Sequence, residues 1–340
     1  MKKILLPIIS HHQFGRIHLK STIRMLFVLG LALLFVGRSA QSQDLGDQLS
    51  KFSSKAAQDY ISPMLAGWGA SLNTGLFYSA DLHDLLGFDV GVKLGLTQMV
   101  DEDKTFKVTL PVVTSWTGFT PNFSNREYVT NSAVGKTDST IIPINQSGTS
   151  TNLGSYVLPG GFDLPAIAFP VAQINVGLPL GLEAMVRFIP TIDAGSAGKF
   201  GLMGFGARYD VDQWLPFFPI DIAVHFMTQK LSFKNKNDKD IFSATATAYG
   251  IEVSKRLLIL TVYGGFQLES SSFNVADFTG TQVVNGVSSR VTVPGFTVEG
   301  KNKSSALVGV RLLLLIINVH AEYHFATVPT AAVGVGISIR

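Results

Sequence analysis

The chain has 340 residues, no cysteine, 46% hydrophobic residues and only 15% charged ones, against about 25% charged in a typical soluble domain. Its mean hydropathy of +0.30 is too low for a bundle of membrane helices, yet the apolar excess must face something other than water. The formal net charge of +3 comes from residues 1–42, which hold six basic side chains and no acidic one; 21 of the 27 basic residues remain beyond them, against 24 acidic, which leaves no basic face for nucleic acid.

Those first residues have the pattern of an export signal. Arg16, Lys20 and Arg24 form a basic region, Met25 to Gly37 is apolar or small, and Ala40-Gln41-Ser42 offers small side chains for signal peptidase. The apolar stretch is shorter than the ~20 residues that a spanning helix needs. A mature chain is therefore expected to begin near Gln43. Beyond it the longest apolar run is Leu312–Ile317, bracketed by Arg311 and Asn318. Any membrane crossing must use strands, and strands in hydrocarbon must close into a barrel so that no edge is left unpaired.

Residues 44–62 carry a helical pattern, with Leu45, Leu49, Phe52, Ala56 and Tyr60 on one stripe, Asp44 as N-cap and Pro63 as the expected stop. One stripe needs one surface to cover it. Residues 43–64 are accordingly expected to lie against the periplasmic mouth of a barrel, with a plug inserted in the lumen as the alternative.

From residue 66 to the C-terminus the period is two. Leu182, Ala184, Val186 and Phe188 alternate with Gly181, Glu183, Met185 and Arg187; Val319, Ala321, Tyr323 and Phe325 alternate with Asn318, His320, Glu322 and His324. Neighbours on a strand point to opposite faces, so one face is oily and the other small, polar or charged, as in a barrel with a crowded lumen. Twelve strands are expected, at 66–79, 86–99, 104–114, 166–178, 181–191, 198–210, 219–232, 242–254, 257–271, 303–313, 316–327 and 331–340. Short periplasmic turns then fall at 100–103, 179–180, 211–218, 255–256 and 314–315, while the long polar loops 115–165 and 272–302 share the opposite side. Trp68, Trp116 and the run Trp214–Pro219 sit near strand ends and read as interfacial girdle residues.

The phase of each strand predicts a lumen lined by Lys93, Glu183, Arg187, Arg208, Glu252, Gln267, Glu269, His320, Glu322 and His324. His320, Glu322 and His324 share a face, about 6.6 Å apart. Two of them could pinch a metal ion, but paired lumen polar groups are the simpler reading, and no metal or cofactor is expected. The sequence has no G-x-S-x-G, H-E-x-x-H, phosphate-loop or dinucleotide motif. A lipid-cleaving barrel would place Ser and His on the outer rim, whereas these histidines share the inner phase, so no enzyme activity is expected.

Gly201 to Leu231, with Gly204-Phe-Gly206-Ala-Arg208, Asp212-Gln-Trp214-Leu-Pro216 and Pro219-Ile-Asp221, together with Leu178–Glu183, Val186–Pro190, the entry Asp59-Tyr60 to Pro63 before Gly75, and the glycine-rich close at Arg340, resembles an uncharacterised family of Bacteroidetes outer-membrane β-barrels, domain-of-unknown-function family 6588. The resemblance spans most of the mature chain and implies a barrel. It carries over no catalytic or ligand residue.

The sequence thus predicts an all-β, closed antiparallel transmembrane barrel over 65–340, working as a passive or selective channel for a small solute or apolar molecule. A non-conducting structural or surface-interaction barrel is the first rival. The expected partners are outer-membrane lipids, the export and barrel-assembly machinery and a small solute.

Overall fold

The computed structural model describes residues 54–110, 121–122, 126–146, 151–193, 198–215, 217–235, 238–284 and 287–339. One helix, α1 (Ser54–Leu72), precedes the strands. The strands, in chain order, are β1 (Phe88–Gln98), β2 (Thr105–Thr109), β3 (Pro121–Asn122), β4 (Glu127–Asn131), β5 (Thr140–Gln146), β6 (Asn152–Leu158), β7 (Ala166–Leu178), β8 (Leu182–Asp193), β9 (Lys199–Asp210), β10 (Asp221–Lys234), β11 (Asp240–Leu257), β12 (Leu260–Val275), β13 (Phe278–Val284), β14 (Val287–Val293), β15 (Phe296–Glu299), β16 (Ser304–Leu314), β17 (Ile317–Phe325) and β18 (Thr330–Ile339).

Ten of these described strands form a closed ring: β1, β7 to β12, β16, β17 and β18, each antiparallel to both neighbours. The ring closes through β1, where Lys93 faces Gly334 of β18 on one side and Val171 of β7 on the other. Among the described residues no helix is long and apolar enough to cross a membrane. The outer face is a band of exposed Val, Leu, Ile and Phe, such as Phe205, Phe226, Ile251, Val308 and Val335. The inner face is buried and mixed in polarity.

The number of barrel strands is therefore ten and not twelve. The two supernumerary strands were at 66–79 and 104–114. The alternation of 104–114 is real over β2, but this strand pairs with β4 in a small sheet on the long-loop side and not with the wall. Residues 66–72 belong to α1, which runs on through Pro63. An internal proline costs a helix about 3 kcal/mol. Burial of Tyr60, Ile61 and Leu65, each at most 1% exposed, offsets that cost. Removing one false strand on each side of β1 keeps the count even, so the loops after β7 stay on the expected sides. β1 itself runs in the opposite direction to that expected, and residues 99–104 lie on the long-loop side.

The location of the helix also differs from expectation. α1 does not lie at the short-turn mouth. It enters from the long-loop side, where Tyr60 Oη donates to the Gly160 carbonyl at 2.9 Å, and it descends inside the ring. Trp68 stacks on the inward ring of Phe242, with centroids 5.5 Å apart, and is no girdle residue. Trp214 is 70% exposed at the short-turn end, where a girdle belongs; Trp116 lies outside the described residues.

After Leu72 the chain stays in the barrel without regular structure until Gly87, and Leu76, Phe77 and Tyr78 form a core with Met185, Met227, Ala248, Tyr263 and Leu307 of the wall. The segment leaves at the short-turn end, where Leu86 N–H donates to the Gly177 carbonyl at 3.1 Å.

The plugged lumen as candidate functional site

An irregular segment inside a barrel cannot use ladder hydrogen bonds, so its backbone groups need other partners. The wall strands supply them from side chains that alternation turns inward. All ten side chains predicted for the lumen lie on the inner wall, and none is more than 5% exposed. They fall into three groups along the segment.

The first group holds residues 72–76. Arg187 donates from Nη1 to the Leu72 carbonyl at 2.8 Å, from Nη2 to the Thr74 carbonyl at 2.6 Å and from Nε to Gln173 Oε1 at 2.7 Å. Gln229 reaches the Leu72 carbonyl at 2.6 Å, Gln267 reaches the Asn73 carbonyl at 2.9 Å, and Gln173 reaches the Leu76 carbonyl at 2.8 Å. Gly75 N–H donates to Glu322 Oε1 at 2.6 Å. The other oxygen of Glu322 accepts from Tyr263 Oη at 2.9 Å, and His324 Nε2 lies 2.8 Å from Oε1. Gln267 Nε2 also donates to Glu269 at 2.9 Å. Glu322 is thus committed to the inserted backbone. Among the described residues no three His, Asp or Glu side chains are grouped to hold a metal ion.

Tyr78 is the centre of the second group. Lys93 Nζ lies 4.8 Å from its ring centroid, the Arg311 guanidinium 4.4 Å, and the His320 ring 5.1 Å at a tilt. Cations over a buried ring face gain roughly 0.5 to 2 kcal/mol each. The wall therefore grips the segment by its aromatic side chains as well as by its backbone.

The third group is a charged latch. Arg208 donates to Glu183 Oε1 at 2.7 Å, to both oxygens of Glu252 and to the Ser79 carbonyl. Glu183 in turn accepts from His83 N–H at 3.1 Å and lies 2.7 Å from His83 Nδ1. His83 Nε2 is 3.0 Å from Ser338 Oγ of β18. Ala80 N–H donates to Ser254 Oγ at 3.0 Å. His225 Nδ1 is 3.0 Å from Glu252. A buried ion pair repays its desolvation only with good geometry and further hydrogen bonds, and here both conditions are met.

The inner phase of the strands holds further polar members beyond the ten predicted to line the lumen. Gln173, Gln229 and Arg311 alternate with lipid-facing neighbours just as Arg187 does, and the same count finds them; Asn318 shares the inner phase already given for His320, Glu322 and His324. His83 follows no strand period, and nothing in the sequence marks it.

The model of a family of unknown function, DUF6588, matches residues 19–339. Among solved structures, the chain is similar to Ail, the attachment invasion locus protein of Yersinia pestis, at 8% identity and a TM-score of 0.23, over 75% of this chain and 99% of that one. It is similar to the outer membrane protease OmpT of Escherichia coli at 10% identity and 0.26, over 78% and 99%, and to the Ralstonia pickettii toluene transporter TbuX at 9% and 0.24, over 77% and 91%. A search of the curated proteins found no match.

Proposed function

We propose that this chain, which belongs to the family of unknown function DUF6588, is a non-enzymatic bacterial outer-membrane barrel that its own N-terminal segment keeps closed, and that it works through its long-loop side. The apolar outer band supports the membrane location, and the export pattern of residues 1–42 agrees with it. One observation carries the closed reading. The polar wall groups that would line an open path are spent on the backbone of residues 72–83, through Arg187, Gln229, Gln267, Glu322, Arg208 and Glu183. On that reading the small sheets β2–β4, β3–β5–β6 and β13–β14 are the working surface.

The second reading is a gated path for a small solute or apolar molecule, with α1 as the hatch. It is favoured by the neutral packing of α1 in the upper barrel, where Ser71 Oγ lies 2.9 Å from Thr97 Oγ1 and no charge pair fixes that contact. A cysteine-free chain allows a clean test. Ser71→Cys with Thr97→Cys should form a disulfide tying α1 to β1. Wild-type protein in planar bilayers is expected to give no current steps, and the oxidised pair should behave identically. Steps in the wild type and in the reduced pair that vanish when the pair is oxidised and return on its reduction would establish the gated path.

A further inference from the structure

The direction in which the inserted segment runs has a consequence for the cell surface. Its contacts follow the barrel axis in sequence order. Gln58 Nε2 donates to the Thr297 carbonyl and Tyr60 Oη to the Gly160 carbonyl, both on the long-loop side. Thr97 meets Ser71 and the Gly67 carbonyl lower down, and Arg208 meets Ser79 lower still. His83 reaches Glu183 and Ser338 near the short turns, and Leu86 and Gly87 pair with Gly177 at that rim. In an outer-membrane barrel the short turns face the periplasm and the long loops face outward.

We infer that the chain runs inward through its own barrel, so that the N-terminal end of α1 is presented at the cell surface while residues 85–87 emerge in the periplasm. This rests on the outer-membrane reading above, though not on whether the lumen conducts. The barrel then has a second surface feature beside its loop sheets: a helix end held by Tyr60 against Gly160 and Phe106. An epitope joined at the start of α1 would be displayed outside the cell, although the chain enters the periplasm N-terminus first.

The test is labelling of single cysteines with a membrane-impermeant maleimide in intact cells. Lys55→Cys reports the start of α1, where the side chain is 77% exposed and pairs with Asp59 at the surface, so folding should be unaffected. Asp238→Cys, at a side chain 66% exposed, reports the long-loop side. Leu258→Cys, 89% exposed, reports the short turns. Lys55→Cys and Asp238→Cys should label in intact cells as fully as in permeabilised ones, and Leu258→Cys only after permeabilisation. If Asp238→Cys labels and Lys55→Cys does not until the membrane is opened, the threading direction is wrong. If Leu258→Cys labels and Asp238→Cys is protected, the barrel itself is inverted and the inference falls together with the outer-membrane reading. Bilayer currents of either kind leave the labelling pattern unchanged, so failure of the closed reading is separately visible.

Discussion

Arg208 shows what a single residue does in this lumen. Its guanidinium bridges Glu183 and Glu252 and caps the Ser79 carbonyl, all at sites no more than 3% exposed. The bidentate geometry suits the planar fork, and a lysine ammonium would reproduce the charge without the simultaneous contacts. Arg208→Met leaves two carboxylates buried without their shared cation. Breaking a buried pair in this way costs about 3–5 kcal/mol. Urea unfolding of the refolded protein in lipid vesicles is expected to show a loss of that size, with partial recovery when Glu252→Gln is added. A loss below about 1 kcal/mol, the range of exposed pairs, would mean that the site is hydrated. The place of Arg208 in the wall was legible in the sequence, because its neighbours Ala207 and Tyr209 point the other way. Its partners were not, since Ser79 lies 129 residues earlier in a stretch without a period.

At the scale of elements, the wall and the inserted segment followed different rules, and only one of them is periodic. Strands β7 to β12 and β16 to β18 announce themselves because each residue must choose between lipid and lumen. Residues 66–83 make no such choice, being enclosed by the wall. Leu72, Leu76, Phe77, Tyr78 and Ala80 are all buried, and a run this apolar resembles a strand in sequence without forming one. Pro63 was read as a stop because local propensity favours one; the enclosing barrel overrides it. Gly75 marks where the segment turns beneath α1. It has φ +66°, and a Cβ there would meet Lys93 Cβ at 3.4 Å, which is ordinary contact. Space is therefore available and the cost of a side chain is conformational, about 1–2 kcal/mol in the left-handed region. Gly75→Ala should lower stability in the same urea assay by that amount while keeping the bond from residue 75 to Glu322. No change at all would show that residue 75 does not hold this conformation in the membrane.

For the whole molecule the question is what keeps the lumen shut, and the charges give a way to ask it. Arg187 and Arg208 together hold the carbonyls of Leu72, Thr74 and Ser79. Replacing both with serine removes those donors and leaves Asp89, Glu183, Glu252, Glu269 and Glu322 on the inner wall, opposed mainly by Lys93 and Arg311. The segment loses its latch, and the wall becomes net negative in a low-dielectric path, where a unit charge is poorly screened. The double variant is expected to show current steps that the wild type lacks, with a reversal potential across a salt gradient displaced toward the cation equilibrium value. Because unpaired glutamates could also stop the barrel from closing, Gly95→Leu provides a charge-free counterpart. A Cβ at residue 95 would already lie 2.9 Å from Ser71 Cβ and 3.0 Å from Thr74 Oγ1, so the larger side chain must push α1 and Thr74 aside while leaving every charge of the wall in place. If that variant opens a path with weak selectivity while the double serine variant opens a cation-selective one, both the wedge and the latch act on the same closed lumen. If both fold and both remain silent, the segment is held by its apolar core around Phe77 and Tyr78, and the charged wall serves the assembly of the barrel instead of its closure.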